Sequence, residues 1–193
     1  LSSAASDVYK RQNQLSSNEI FSIHQVREGY FWIGTTNGLA RYDGYQLNTF
    51  RTDYKNQNLL TDNGITAIND NDLYVWIGTW KGLNLYNKQT CRITPFSDAR
   101  LLDKVVDAIT VDKDGNVWVS AGGMIYRCDS TAYIIKEYEV GNIQEGYAIS
   151  NIYADQQKQL WAVGSRGIFR YEPETDSFFR YPPLGHGHTA YIM

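Results

Sequence analysis

Two cysteines, Cys91 and Cys128, are all that the 193 residues contain. They are too few for a disulfide framework and lack the CxxC spacing of a metal site, so both read as small apolar fillers rather than a bridge. No run of about 18 apolar residues exists, and no segment reads as a membrane-spanning helix. Basic residues are in deficit, 18 against 21 acidic, for a net charge of -3. Nucleic-acid binders show the opposite, a basic patch or stripe, and nucleic acid is excluded as the expected partner. A sustained period of 3.6 residues is also missing, which argues against long helices. No signal-peptide pattern is visible. The opening LSSAASDVYKRQ matches nothing further along, and residues 1–14 read as a disordered or extraneous tail.

Aromatic residues are abundant, 14% of the chain as 15 Tyr, 7 Phe and 5 Trp, alongside 16 glycines. Aromatics between frequent turn residues favour many short strands. Four tryptophans, Trp32, Trp76, Trp118 and Trp161, follow one another at intervals of 44, 42 and 43 residues, within the range of repeats that build four strands each. The twelve residues from each Trp align without a gap: WIGTTNGLARYD, WIGTWKGLNLYN, WVSAGGMIYRCD and WAVGSRGIFRYE. Six places after Trp stand Gly38, Gly82, Met124 and Gly167, and ten places after it Tyr42, Tyr86, Cys128 and Tyr171. Cys128 thus occupies a tyrosine position, which supports its packing role.

Upstream of each Trp lies a spaced aliphatic pair: Ile20 and Ile23, Ile65 and Ile68, Val106 and Ile109, Ile149 and Ile152. Downstream an aromatic closes the repeat: Phe50, Phe96, Tyr138 or Tyr181. Each repeat therefore reads as four strands: the aliphatic pair, a strand ending through the Trp, the Gly-Leu-x-x-Tyr run, and a strand before the closing aromatic. The expectation is an all-β protein, a β-propeller of four-stranded antiparallel blades. Its parts are blade 1 at 15–60, blade 2 at 61–103, blade 3 at 104–146, blade 4 at 147–189, and the start of a fifth blade at 190–193. Trp and Tyr fill the wedge between neighbouring blades. The glycine six places after Trp serves a tight turn of positive φ. Met124 breaks that rule behind Gly122 and Gly123, and the turn there is expected to slide back one residue.

The stretch LSSNEIFSIHQVREGYFWIGTTNGLARYDGYQLNTF, residues 15–50, closely resembles the first two-component regulator propeller repeat of hybrid sensors from gut Bacteroidetes. WIGTWKGLNLY in the second repeat is similar, and the third and fourth are looser. The resemblance implies the periplasmic sensor region of an inner-membrane protein. In that family the propellers are followed by an immunoglobulin-like domain, a membrane helix and a histidine kinase, and oligosaccharides are sensed. It also implies a ring of seven blades, so four would be part of a larger ring. A compact four-bladed ring is the rival.

Loops between second and third strands share a face with the connectors between blades, and loops on a rigid scaffold carry binding. On that face Trp80, the one tryptophan outside the repeat, is a candidate platform for a sugar ring. Lys81, Asn37 and Arg166 are candidate hydrogen-bond donors. The plainer reading has Trp80 packing on a connector and the charges solvated. No catalytic residue, metal site or cofactor is expected. His186 and His188 have weak i, i+2 spacing, His24 reads as a half-buried strand residue, and Asp112, Asp114 and Gly115 form a turn without the closing glutamate of a calcium loop. The expected partners are a small-molecule ligand such as an oligosaccharide, the remaining blades and kinase of the parent, and a second copy in a homodimer. Two other functions compete: a propeller lyase similar to streptogramin lyase, and a non-catalytic interaction propeller.

Overall fold

The repeat becomes sixteen strands in four separate four-stranded antiparallel sheets, each built in simple sequence order. A computed structural model describes residues 15–52, 60–140, 149–165 and 167–181. Blade 1 holds β1 (Ile20–Gln25), β2 (Phe31–Thr35), β3 (Gly38–Tyr42) and β4 (Leu47–Phe50). Blade 2 holds β5 (Ile65–Asp70), β6 (Tyr74–Thr79), β7 (Gly82–Asn87) and β8 (Arg92–Pro95). Blade 3 holds β9 (Val106–Val111), β10 (Val117–Ala121), β11 (Met124–Cys128) and β12 (Ile134–Tyr138). Blade 4 holds β13 (Ile149–Ala154), β14 (Leu160–Gly164), β15 (Gly167–Glu172) and β16 (Ser177–Arg180). The repeat Trp stands near the start of each second strand, not at its end, and the strand runs on for three more residues.

The chain is thus an all-β propeller segment of four blades, with the first strands β1, β5, β9 and β13 packed side by side along the axis. Each of the first three repeat tryptophans joins one apolar cluster with residues of the next blade. Trp32 packs with Ile65, Ile68, Val75 and Ile77, Trp76 with Val106, Ile109 and Val119, and Trp118 with Ile149, Ile152 and Ala162. Blades approach closely because the residue two after Trp is small. A Cβ on Gly34 would lie 2.6 Å from Ile65 Cγ2, and one on Gly78 would lie 2.6 Å from Val106 Cγ1. In blade 3 the same position is Ser120, whose buried hydroxyl donates to Ile149 O at 3.2 Å.

The second hairpin corrects one expectation. In blades 1 and 2 a threonine closes a two-residue loop: Thr35 Oγ1 donates to Gly38 O and Thr79 Oγ1 to Gly82 O, both at 2.8 Å. Gly38 and Gly82 then take φ of 128° and 124°. Blade 3 has Ala121 in place of that threonine, yet Ala121 still pairs with Met124 across two residues. The turn has not slid. The positive φ has moved into the loop, to Gly122 at 57° and Gly123 at 82°, the mirror-image turn that suits strand twist.

Cys128 is fully buried, and burial pushes its thiol up to about 12, as a packing residue requires. Cys91 departs from the filler reading: it is exposed, at a turn with φ of 56°.

The outer flanks are uncovered. Ile23 is 61% exposed, whereas Ile68, Ile109 and Ile152 at the same repeat position are 6%, 7% and 2% exposed. On the far side Trp161 is half-buried, unlike the three other repeat tryptophans. The two flanks are the halves of one inter-blade contact.

Candidate ligand-binding site

The inner strands enclose an axial groove of about 1030 Å³. It runs from Thr66 and Asp107, near the strand starts, to the turns at the strand ends, where Asp72, Lys113 and Lys158 line it. Most acidic groups along it are already engaged. Asp70 accepts from His24 Nε2 and Lys88 Nζ, each at 2.6 Å. Burial works against its charge, but these two bonds outweigh that and hold its pKa below the usual range. His24 is thereby the satisfied strand residue expected of it. Asp72 pairs with Arg27 at 3.3 Å on the surface.

Asp112 turns out to be a structural clamp. Its Oδ1 accepts from the amides of Asp114 and Asn116, and its Oδ2 accepts from Trp118 Nε1 at 2.8 Å. Asp155 repeats the arrangement with Gln157, Gln159 and Trp161 Nε1 at 3.0 Å. In blade 2 the hairpin is shorter. Asn71 caps it through Leu73 and Tyr74, and Trp76 Nε1 is buried with no hydrogen-bond partner among the described residues.

Asp107 is different. It opens into the groove as an exposed side chain, with no hydrogen bond or ion pair among the described residues. Burial alone pushes its pKa up to about 6. It lies at an irregularity common to all four inner strands. Each carries a bulge one residue after its first aliphatic, which places Phe21, Thr66, Asp107 and Ser150 outside the regular pairing. A sequence signal for this existed. Two aliphatics three apart in a regular strand face opposite ways, yet Ile65 and Ile68 share one core, as do Val106 and Ile109. The extra residue between them makes that possible.

Of the residues nominated from sequence, Trp80 is 45% exposed and sits on the connector as the plainer reading had it. Its indole lies over Gly64, where a Cβ would come within 2.5 Å of the ring, and its amide donates to Gly64 O at 3.1 Å. The ring also meets Phe21 in an edge arrangement, with centroids 6.3 Å apart. Lys81 Nζ is 4.0 Å from Asp62. Asn37 donates its amide to Ser16 O at 3.3 Å and so is partly spent on holding the loop. Neither Asn37, Trp80 nor Lys81 lines the groove. Arg166, His186 and His188 lie outside the described residues, as do the tail at 1–14 and the segment 190–193.

Residues 14–37 match the family model described as two component regulator propeller. The match covers the first two strands of blade 1, which are thus similar to a two-component regulator propeller repeat. Among solved structures, an extracellular domain assigned to a one component system of B. thetaiotaomicron is similar at 23% identity and a TM-score of 0.63, over 82% of this chain and 22% of that one. Another, assigned to a hybrid two component system of B. thetaiotaomicron, has 20% identity and a TM-score of 0.62 over 88% and 30%. Virginiamycin B lyase of Staphylococcus aureus has 18% identity and a TM-score of 0.70 over 90% and 59%. This chain therefore spans about a fifth to three fifths of these chains, and the likeness is one of fold. No curated protein matches it in sequence. Among the described residues no helix is long and apolar enough to cross a membrane.

Proposed function

We propose that the chain is the ligand-sensing part of the periplasmic region of a membrane two-component signalling protein. Its ligand is a small molecule of the oligosaccharide class. The observation that carries this reading is the axial groove: its volume suits a small ligand, and it is walled by the inner strands of a propeller whose first blade matches the regulator propeller model. The remaining blades, completing a ring of seven, and a kinase belong to the same parent. Ligand binding shifts the balance between two packings of the propeller or of a homodimer, and the kinase reads that balance. On the face that carries the loops between second and third strands, Trp80, Lys81, Asn37 and Arg166 are the proposed ligand contacts.

Calorimetric titration with a panel of oligosaccharides tests this, with binding expected to weaken when Trp80 is replaced by alanine. Absence of binding across the panel overturns the sensing reading, and undiminished binding by the variant removes Trp80 from it. The similarity to virginiamycin B lyase favours a second reading, an eliminating enzyme. Ring opening of a streptogramin incubated with the chain and a divalent cation would replace the sensor by that enzyme.

A further inference from the structure

The four bulges are a device for presenting variable side chains from an invariant scaffold. The aliphatic before three of them is held in the core, with Ile65 and Val106 fully buried and Ile149 2% exposed, whereas Ile20 on the open flank is 43% exposed. The bulged residue itself is free of that duty, and the chain places a different type at each: Phe21, Thr66, Asp107 and Ser150. Bulges re-aim a side chain and cluster beside functional sites. Thr66 and Asp107 line the axial groove, while Phe21 is 56% exposed and turns an edge to Trp80.

The chemistry of this ring is uneven. Thr66 Oγ1 donates to Val106 O at 2.5 Å, and Ser150 Oγ donates to Val163 O at 3.3 Å. Both hydroxyls are left as acceptors. Asp107 accepts from nothing among the described residues. The ring therefore offers acceptors, one of them an uncompensated carboxylate, and at its blade 1 position the exposed aromatic Phe21. No cation belongs to the ring itself. An acidic ligand would meet a like charge there, whereas the hydroxyls of a neutral sugar donate to such acceptors and its C–H face lies on aromatic rings.

We infer that the bulge ring is the specificity-determining part of the ligand site, with Asp107 and Phe21 selecting a neutral oligosaccharide over an acidic one. The inference rests on the sensing reading above and goes further by naming the ligand class and the residues that choose it. The test titrates the full chain with neutral cello-, xylo- and manno-oligosaccharides and with oligogalacturonate. At least one neutral series binds the unaltered chain, and oligogalacturonate binds at least tenfold more weakly. Asp107→Ala and Phe21→Ala each weaken neutral binding about tenfold, whereas Asp107→Lys gains oligogalacturonate. Both side chains are exposed, so the variants melt no lower than the parent, which separates loss of binding from loss of fold. Binding of the neutral series that is unchanged by Asp107→Ala and Phe21→Ala overturns the ring assignment and leaves sensing intact. Preferred binding of oligogalacturonate by the unaltered chain overturns the neutral class. No binding of any series overturns the sensing reading, and the ring assignment with it.

Discussion

Asp176 of blade 4 accepts a hydrogen bond from the hydroxyl of Tyr138 in blade 3 at 2.6 Å. Tyr171 donates to the same oxygen at 2.6 Å, and Lys136 Nζ reaches the other at 2.7 Å. Burial acts to raise the pKa of Asp176, but the bonds from Lys136, Tyr138 and Tyr171 outweigh it and bring the group to about 2. A carboxylate depressed in the folded state stabilises above its unfolded value of 3.8, and that contribution is lost as pH falls toward 2. Asp176→Ala is thus expected to lower the urea midpoint clearly at pH 7 and very little near pH 2. An equal loss at both pH values would show that the clasp is steric rather than ionic.

Asp107 has the opposite sign. Its folded pKa, raised by burial to about 6 from 3.8, means that the folded chain holds the proton more tightly than the unfolded one. Stability from this group is complete below about pH 4 and is lost as pH rises through 6. Asp107→Asn should therefore melt higher than the parent at pH 7.5, with the gap closing toward pH 4. A gap that is constant with pH would refute an uncompensated carboxylate.

Trp118 and Trp161 are held by Asp112 and Asp155, and Trp76 is not held by any such group. Removing the acceptor from Trp118 leaves a buried donor unpaired and frees two turn amides. Asp112→Ala should cost about 2 kcal/mol, read by urea unfolding. A cost within about 0.5 kcal/mol, the scale of ordinary surface changes, would assign the turn no role in holding the indole.

Equivalent positions on the flank and in the interior should respond very differently. Ile68→Ala empties a site packed between blades and is expected to cost about 3 kcal/mol. Ile23→Ala at the same repeat position, on an open face, is expected to cost less than about 0.5 kcal/mol. Its lysine variant should also reduce self-association seen by light scattering, because an exposed apolar sheet face invites pairing. Similar costs for the two alanine variants would mean that the blade 1 flank is covered in solution.

Features that recur in the same chemical form were legible in the sequence. The Trp interval gave the blades, and the Gly six places later gave three of the four hairpins. Elements that compensate for one another were harder to read. Thr35 and Thr79 close their loops through a hydroxyl, while Ala121 needs two left-handed glycines for the same register. From sequence that looks like a displaced turn. The bulges were missed for a related reason. Phe21, Thr66, Asp107 and Ser150 share a backbone role and no side-chain type, so composition shows nothing periodic there. Only the three-residue spacing of the flanking aliphatics carries the signal. Trp80 was found because it lies outside the repeat, but its support by Gly64 and its meeting with Phe21 depend on the connector's path.

The half-covered Trp161 sets where unfolding starts. A blade in this array is held by its own sheet and by the neighbours on either side, so stability is passed along as in a row of coupled units. Among the described residues no further blade lies over the blade 4 indole or over Ile23 of blade 1, whereas blades 2 and 3 are packed on both sides. Loss of order then travels inward from the ends like the unzipping of a stack. Amide exchange should be slowest in β6 and β10 and progressively faster toward β2 and β14, a gradient set by position in the row rather than by the sequence of any one blade.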